Sequence, residues 1–231
     1  MIPYAQTTQR ERSLSLFVTF EGPEGSGKTT QLRLLADYLR EQGHDVLTTR
    51  EPGSTPIGER IRAVLLDPSH TEMLPVTEFL LFSAARSQHV GQVIRPHLEL
   101  GGVVLCDRYA DSSLAYQGYG HRLDLEMLYA ITRFVTGGLV PDVTLYFDVP
   151  VSVGLRRKAG GKGDAWNRME QKETAYHERV RAGYLAMVAR EPERWSLLDA
   201  MRELGQVQAL VRRLVMARLQ AQPELEERER E

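Results

Sequence analysis

The stretch from residue 16 to residue 30 reads LFVTFEGPEGSGKTT, and it constrains the fold more than any other part of the chain. Its first residues are apolar and β-branched or aromatic, as in a buried strand. They lead into residues 22–29, which match the pattern G-x-x-x-x-G-K-[S/T], and leucines at helical spacing follow. Strand, glycine-rich loop and helix in this order are the setting in which the pattern binds nucleotide phosphates.

The chemistry of phosphate binding explains the spacing of this loop. Glycines allow several backbone N–H groups to converge on one anion, and the helix that follows adds its positive N-terminal end. In this pattern the lysine, Lys28, contacts the β- and γ-phosphates, and the hydroxyl of Thr29 binds Mg²⁺. The predicted ATP-binding residues are Gly22, Pro23, Glu24, Gly25, Ser26, Gly27, Lys28 and Thr29.

Short apolar runs recur along the chain and predict five strands. They lie at residues 16–20, 46–49, 103–106, 143–149 and 195–198. Helical patterns separate them, and this alternation predicts an α/β fold of the P-loop NTPase type, with a parallel five-stranded sheet and helices on both faces. Ligands of such sheets bind beyond the carboxyl ends of the strands, where residues 22–29, 50–53 and 107–109 are expected to meet.

Helical periodicity predicts the remaining elements and the domain limits. Helices are expected to end near Gln42 and Leu66, and one long helix over 75–98 should bend or restart near Pro96. Further helices are predicted over 123–135, 151–158, 168–190 and 206–219. Residues 14–220 are predicted to form one domain with a glycine-hinged lid at about 156–168, between a flexible arm (1–13) and a charged, disordered tail (221–231).

Composition narrows the cellular setting. The formal net charge is −2, which does not favour a nucleic-acid coat or a membrane-surface protein. No apolar run approaches the roughly 20 residues of a membrane span, and residues 1–12 lack the apolar core of a secretion signal. We therefore expect a cytoplasmic location with no nucleic-acid or membrane partner. The single cysteine, Cys106, lies in an apolar run and is expected to be buried and inert.

Two classes of phosphate-loop protein then compete. A GTPase switch should contain N/T-K-x-D and D-x-x-G, and neither pattern occurs. Arginines instead follow the predicted strands at the ligand-binding edge. Phosphoryl transfer depends mainly on the placement of charge, so these arginines favour a phosphotransferase with a small substrate.

Several motifs together resemble the thymidylate kinase family. They are residues 21–30 (EGPEGSGKTT), 50–53 (REPG), 82–86 (FSAAR), 107–113 (DRYADSS), 115–118 (AYQG), 141–148 (PDVTLYFD) and 167–170 (NRME), which occur in the family's order and at its separations. The resemblance extends from about residue 16 to residue 219. It implies transfer of the γ-phosphoryl group of ATP to dTMP, giving dTDP for dTTP synthesis, with Mg²⁺ as cofactor and usually a homodimer.

The resemblance also implies how dTMP is bound. Phe82 would stack on thymine and Arg86, four residues later on the same helix face, would bind its O4. Arg50 and Arg108 would contact the dTMP phosphate, and Asp107 would lie near Mg²⁺ with Thr29. The other residues that would line the base and sugar are Ser113, Tyr116 and Gln117.

The family contains one class with an arginine in the phosphate loop and another that supplies basic residues from the lid. This loop has no arginine, so the chain resembles the lid class, in which Glu24 would contact the sugar 3′-hydroxyl or a magnesium-bound water. The basic residues of the predicted lid are Arg156, Arg157, Lys158, Lys162 and Arg168. We predict that Arg157 or Lys162 contacts the transferred phosphoryl group, beside Lys28, Arg108 and Glu24 as catalytic residues, and that Arg168 shapes the lid.

Alternative interpretations remain at this stage. Phe82 could fill the core, Arg86 could form a surface ion pair, and the lid cations could form an exposed helix face. A related nucleoside monophosphate or deoxynucleoside kinase, or a non-catalytic ATP-binding regulator, would share the phosphate loop. Arg50 and Arg108, near a predicted acceptor phosphate, disfavour a neutral nucleoside as acceptor.

Overall fold

A computed structural model describes residues 15–160, 168–169 and 172–228 of the chain. Within these residues, five strands pair in parallel in the order β2-β3-β1-β4-β5. Their bounds are Leu16–Glu21 (β1), Val46–Arg50 (β2), Val103–Asp107 (β3), Val143–Asp148 (β4) and Trp195–Asp199 (β5). The predicted number of strands and their parallel pairing are confirmed.

The strands form where apolar residues follow one another without alternation. Every residue of β1 is buried, because helices cover both faces of a parallel sheet. The ends of β1, β2 and β3 lie side by side, since Phe20 pairs with Asp107 and Asp107 pairs with Arg50. The sheet therefore brings the phosphate loop and both predicted acceptor segments to one edge.

The helices have bounds close to those predicted, with four differences. They are Lys28–Glu41 (α1), Pro56–Leu66 (α2), Pro75–His89 (α3), Arg95–Glu99 (α4), Ala110–Ser113 (α5), Leu125–Thr136 (α6), Val151–Gly160 (α7), Thr174–Arg190 (α8) and Leu204–Arg228 (α9). The caps follow local chemistry: Thr55 accepts a hydrogen bond from the Gly58 N–H at the start of α2, with Pro56 at the first helical position.

Two of the differences involve wider π-helical turns. The helix predicted over 75–98 restarts at Arg95, next to Pro96, as expected, but it loses its α-helical register earlier, in a π-helical segment at Val90–Ile94 that was not predicted. A second π-helical segment, Leu114–Gly120, extends α5, and no helix was predicted there.

The other two differences concern helix limits. α8 begins at Thr174, not near Arg168, because Arg168 is held by buried contacts described below. α9 continues to Arg228, so the backbone of residues 221–228 is helical where a disordered tail was expected; its sequence is rich in glutamate, glutamine and arginine, which favour helices. The predicted flexible arm at 1–13 lies outside the described residues.

Three clusters of buried side chains fix these elements on the sheet. One face is covered by α1 and α9, through residues such as Leu35 and Val211. The opposite face is covered by α3, the π-helical segment and α8, through Phe79, Tyr116 and Tyr184. The third cluster surrounds β3 and contains Cys106, which is buried as predicted. Helices thus cover both faces, and the fold class is confirmed.

Candidate active site

The phosphate loop joins β1 to α1 through glycines with unusual backbone angles. Gly22, Gly25 and Gly27 have φ values of 147°, 69° and 86°, a region that side chains disfavour. Gly25 also packs against the backbone of α7, because a Cβ at Gly25 would overlap the carbonyl oxygen of Gly154. A Cβ at Gly154 would in turn overlap the carbonyl oxygen of Glu24. The loop and α7 are therefore in direct backbone contact.

Lys28 and Thr29 open α1 with their side chains at the loop. Lys28 is buried, and its Nζ donates a hydrogen bond to the carbonyl oxygen of Pro23 at 3.1 Å. Burial and the neighbouring Arg108 lower the pKa of this lysine. The Thr29 hydroxyl donates to the carboxylate of Asp107, at the end of β3. A hydroxyl and a carboxylate thus meet at the position that the sequence predicted for a metal.

A cleft of about 480 Å³ lies beyond this edge of the sheet. It contains the phosphate-loop residues Glu24, Lys28 and Thr29, and so connects the loop to the predicted acceptor segments. The predicted acceptor-side residues that line it are Arg50, Phe82, Asp107, Arg108, Ser113, Tyr116 and Gln117. Ten residues predicted from separate motifs thus share one cavity.

Arg86 lies behind this cleft and is almost fully buried, with 1% of its area exposed. Its Nε donates to Glu51 at 2.7 Å, and its Nη2 donates to the Ser113 hydroxyl at 3.0 Å and the Tyr109 carbonyl oxygen at 3.2 Å. Its Nη1 has no hydrogen-bond partner. An unpaired donor on a buried cation is costly, which makes Nη1 a candidate for ligand binding.

Arg108 follows β3 and projects into the cleft from a strained backbone position. Its φ is 68°, unusual for a residue with a side chain and frequent at functional sites. Its Nη2 donates to the Glu24 carboxylate and to the Tyr116 hydroxyl. Its Nη1 lies 3.3 Å from the Ser112 hydroxyl and 3.4 Å from the Tyr184 hydroxyl. Burial opposes ionisation of Glu24, yet Arg108 and Lys28 hold the pKa of this carboxyl at about 2.

The π-helical segment that follows α5 sets the positions of the remaining cleft residues. Tyr116 and Gln117 are adjacent in sequence, and both are buried and line the cleft. The wider π-helical turn departs from the spacing of an α-helix, and such turns are frequent at functional sites. Tyr116 is packed edge-on against Tyr176 and Tyr184 of α8, which fixes its ring.

Arg50 ends β2 and remains half-exposed at the mouth of the cleft. Its Nη2 is bound by both carboxylate oxygens of Glu59, at 2.9 and 3.1 Å. Glu59 also accepts from the Ser54 N–H, so one side chain of α2 holds the loop that follows β2. The bond between Glu51 and Pro52 in this loop is cis.

The basic residues of the predicted lid do not all reach the cleft. Lys158 lines it, whereas Arg157, the preceding residue on α7, donates from Nη1 to the Ala200 carbonyl oxygen at 3.1 Å and lies outside it. Adjacent helical residues point in different directions, so only one of the two faces Glu24. Arg156 is exposed on α7, and Lys162 lies outside the described residues. Arg168 is 4% exposed and pairs with Glu78 on α3, at 2.6 Å between Nη1 and Oε2.

Three buried carboxylates organise the site and were not singled out from the sequence. Glu21 accepts hydrogen bonds from the Tyr109 N–H and from the hydroxyls of Ser112 and Tyr184. Glu51 holds Arg86, and Glu78 holds Gln117 and Arg168. Glu21 and Glu51 lie at strand ends near arginines, and that position was the available signal. Burial, with a further contribution from Asp111, raises the pKa of Glu21 to about 7.

Two other kinds of feature are absent from the described residues. Among the described residues, no group of three or more histidine, cysteine, aspartate or glutamate side chains could hold a metal ion. No helix in that part of the chain is long and apolar enough to cross a membrane.

Comparisons with known proteins agree on one family. The family model described as thymidylate kinase matches residues 20–211. A thymidylate kinase of Roseiflexus castenholzii is 52% identical over 224 residues, which cover 92% of this chain and 98% of the relative. One from Deinococcus radiodurans is 52% identical over 198 residues, covering 85% and 94%. A crystal structure of thymidylate kinase from Ehrlichia chaffeensis superposes with a TM-score of 0.70 at 32% identity, covering 87% of this chain and 98% of that one.

Proposed function

The chain belongs to the thymidylate kinase family and is a phosphotransferase that uses ATP to phosphorylate dTMP, and we propose that its cleft binds the two substrates end to end. One observation carries this proposal: a single cavity is lined by the phosphate-loop residues Glu24, Lys28 and Thr29 and by acceptor-side residues that include Arg50, Phe82 and Gln117. ATP would occupy the loop end and dTMP the arginine end. The alternatives of a binding-only regulator and of a different nucleotide or deoxynucleoside kinase are disfavoured by the family match.

The donor end is formed by residues 22–29. The backbone N–H groups of this loop and the start of α1 would bind the β- and γ-phosphates of ATP. Lys28 would exchange its bond to the Pro23 carbonyl oxygen for one to a phosphate oxygen, because the charged acceptor is the stronger partner.

Thr29 and Asp107 would hold Mg²⁺. Their oxygens already contact each other, and Mg²⁺ characteristically takes one or two protein oxygens together with phosphates and water. A site of that kind does not need three or more protein carboxylates or imidazoles. When bound, Mg²⁺ supplies charge neutralisation of the phosphate oxygens.

The acceptor end would hold dTMP by stacking and by charge. Phe82, which lines the cleft one helical turn before Arg86, would stack on thymine, and the Nη1 of Arg86 would donate to its O4. Arg108 and Arg50 would bind the dTMP phosphate, and Tyr116 would occupy the space that a ribose 2′-hydroxyl requires. Ser113 would support the base indirectly, because its hydroxyl already accepts from Arg86.

Transfer itself would rely on positioned cations. In-line transfer spreads negative charge over the moving phosphoryl group, and Lys28 and Arg108, which both line the cleft, would neutralise it. Glu24 would keep Arg108 in place before substrates bind. From α7 we propose Lys158 in place of Arg157, since Lys158 lines the cleft and lies near Glu24. Lys162 remains a predicted contributor from the lid.

A panel of nucleotides tests this proposal directly. The purified chain with ATP and Mg²⁺ is given dTMP, dUMP, dCMP, dAMP, dGMP and thymidine, and ADP release is measured. We expect dTMP to be the preferred acceptor. Preference for thymidine would indicate a deoxynucleoside kinase, and ATP binding without ADP release for any acceptor would indicate a regulator.

We also propose a homodimer, formed through α2, α3 and α6. Each of these adjacent helices exposes two apolar side chains one or two turns apart, so that each pair lies on one face. The pairs are Ile57 and Val64, Val76 and Leu80, and Met127 and Phe134. An unpartnered face of this kind marks an interaction site. Sedimentation at micromolar concentration should give a dimer for the wild type and a monomer for Leu80→Glu. A monomeric wild type would contradict the proposal.

The cytoplasmic location and the absence of nucleic-acid and membrane partners remain predictions from the sequence. The division into an arm, one kinase domain over 14–220 and a lid at about 156–168 is likewise proposed; the single sheet formed by all five strands supports one domain.

A further inference from the structure

Glu78 lies on α3, one helical turn before Phe82, and has no exposed area. Its Oε1 accepts a hydrogen bond of 2.7 Å from the side-chain Nε2 of Gln117. Gln117 is itself 1% exposed, yet it lines the cleft. A buried carboxylate thus accepts a hydrogen bond from the side-chain amide of a residue that forms part of the proposed base pocket.

Two further groups keep this carboxylate in place and ionised. The Nη1 of Arg168 lies 2.6 Å from its Oε2, and the Nε2 of His121 lies 3.3 Å from its Oε1. Burial opposes ionisation, but His121 and Arg168 hold the pKa of Glu78 at about 2. Glu78 is therefore a charged group throughout the pH range in which enzymes are assayed.

An ionised carboxylate only accepts hydrogen bonds, and this restricts the amide of Gln117 to one orientation. In the flipped orientation the amide oxygen would lie about as close to the Glu78 oxygen as Nε2 does now, and two acceptors would repel each other. Because one N–H of Nε2 is bonded to Glu78, the amide oxygen points the other way and is the acceptor that Gln117 can offer to a ligand.

The base would then meet one donor and one acceptor. The unpaired Nη1 of Arg86, which is bonded through Nη2 to the cleft residue Ser113, would donate, and the amide oxygen of Gln117 would accept. Thymine and uracil present the complementary pair, an acceptor at O4 and a donor at N3–H. Cytosine presents the reverse, an amino donor at C4 and an acceptor at N3, so both contacts would fail.

We propose that Glu78 is a positioning residue that fixes the amide of Gln117 and thereby makes the pocket select 4-oxo over 4-amino pyrimidines. This rests on the proposed binding of dTMP in the cleft and extends it. Glu78 touches no substrate; it acts through Gln117. Its contact with Arg168 also joins the base pocket to the residue at the end of the predicted lid.

The decisive test is Glu78→Gln, which replaces an obligate acceptor by an amide that can donate or accept. The dissociation constants of dTMP and dCMP are measured by calorimetry. We expect the ratio of the dCMP constant to the dTMP constant to fall about tenfold, because the flipped Gln117 amide can donate to cytosine N3. ATP binding should not change. Glu191→Gln, which removes an ion pair with Arg194 outside the cleft, is the matched control and should leave the ratio unchanged.

A double-mutant cycle distinguishes an effect on the orientation of the Gln117 amide from a general loss of order in the base pocket. In a Gln117→Met background there is no amide to orient, so adding Glu78→Gln should leave the dCMP-to-dTMP ratio as it is. An equal fall of the ratio in that background would overturn the proposal. So would a weaker binding of both nucleotides with the ratio intact in Glu78→Gln alone.

A measurement on the wild type covers the case in which Glu78→Gln does not fold. Hydrogen exchange of the Gln117 side-chain amide, assigned by its loss in Gln117→Met, should be much slower than that of the exposed Gln42. Equal exchange rates would show that Nε2 is not held, and would overturn the proposal. None of these readouts requires catalysis, whereas the proposed transfer to dTMP fails separately if bound dTMP yields no ADP.

Discussion

In the proposed binding mode Arg86 and Arg108 would contact opposite ends of dTMP, and their surroundings in the structure differ. Arg86 is sealed behind the cleft by Glu51, Ser113 and Tyr109, with one nitrogen left unpaired. Both terminal nitrogens of Arg108 already have partners, which include Glu24 and Tyr116. Arg86 can therefore form one additional hydrogen bond, whereas Arg108 would have to exchange existing ones.

This difference indicates a preformed base pocket beside a phosphate pocket that rearranges. A donor without a partner gains a hydrogen bond when thymine arrives and loses nothing. Arg108 is already bonded to the Glu24 carboxylate, so a substrate phosphate would have to compete with Glu24 for this arginine. Base recognition should therefore depend on fixed geometry, and phosphate binding on the balance of charge.

The largest effect is expected from replacing Arg108, the arginine that would exchange its partners when the phosphate binds. Arg108→Met should lower kcat/KM for dTMP on the order of 10³-fold, because it removes a charge from the transferred group and leaves Glu24 unpaired. Arg181→Met, which removes a partly buried pair with Asp148 outside the cleft, is the control. Steady-state kinetics that show less than a tenfold loss would contradict the role of Arg108.

The next largest effect is on stability, and it comes from Glu21, whose carboxylate lies near Arg108. The pKa of Glu21 is raised from its usual 4.5 to about 7, chiefly by burial, so the folded state binds the proton more tightly than the unfolded state. Its stability contribution is complete below pH 4.5 and is lost as pH rises through 7, about 3 kcal/mol in all. Urea unfolding at pH 5 and pH 8 should therefore show a loss in the wild type that Glu21→Gln lacks. Parallel pH profiles of the two proteins would contradict this assignment.

The role of Arg86 in the preformed base pocket is tested by comparing nucleotides that carry different bases. Arg86→Met should lower kcat/KM for dTMP by about 100-fold and reduce the preference over dCMP, because the donor to O4 is lost. In the wild type, dCMP should be rejected more strongly than dUMP, which lacks only a methyl group worth about 1–3 kcal/mol. Equal use of dCMP and dUMP by the wild type would remove this role from Arg86.

A smaller effect distinguishes the two neighbours on α7. Lys158→Ala should lower kcat several-fold more than Arg157→Ala, since Lys158 lines the cleft and Arg157 binds the Ala200 carbonyl. The two single variants, assayed at saturating dTMP and ATP, control for each other. A larger loss for Arg157→Ala would restore the original prediction that it contacts the phosphoryl group.

The smallest effect should come from removing the hydroxyl of Tyr116, which accepts a hydrogen bond from Arg108. Tyr116→Phe keeps the ring packed against Tyr176 and Tyr184 but removes one hydrogen bond of 3.1 Å. The KM for dTMP should rise about threefold, with kcat almost unchanged. A loss of kcat as large as that of Arg108→Met would mean that the two side chains act as one unit.

The sequence predicted what local patterns encode. The strand, glycine loop and helix at residues 16–41 follow from adjacent residues, and the sheet follows from the alternation of strands and helices. The family and the activity, inferred from ordered motifs, are confirmed by the comparisons, and the fold class, inferred from the alternation, is confirmed by the sheet.

Other features depend on contacts between distant residues. Glu78 and Gln117 are 39 positions apart, and Glu51 and Arg86 are 35 apart, so no periodicity reveals these pairs. The π-helical segment Leu114–Gly120 has no apolar period of its own, and the earlier one, Val90–Ile94, ends before Pro96, so the proline does not mark its position. Arg157 was in the predicted lid, but only the packing of α7 determines which neighbour faces the cleft.

The mutual contact of Gly25 and Gly154 has a consequence for variation in this chain. Each glycine leaves room for a carbonyl of the other segment, so neither position can accept a larger residue while its neighbour stays in place. Libraries that randomise the nucleotide-gripping loop alone should return glycine at position 25. A larger residue at position 25 would require a compensating shift of α7.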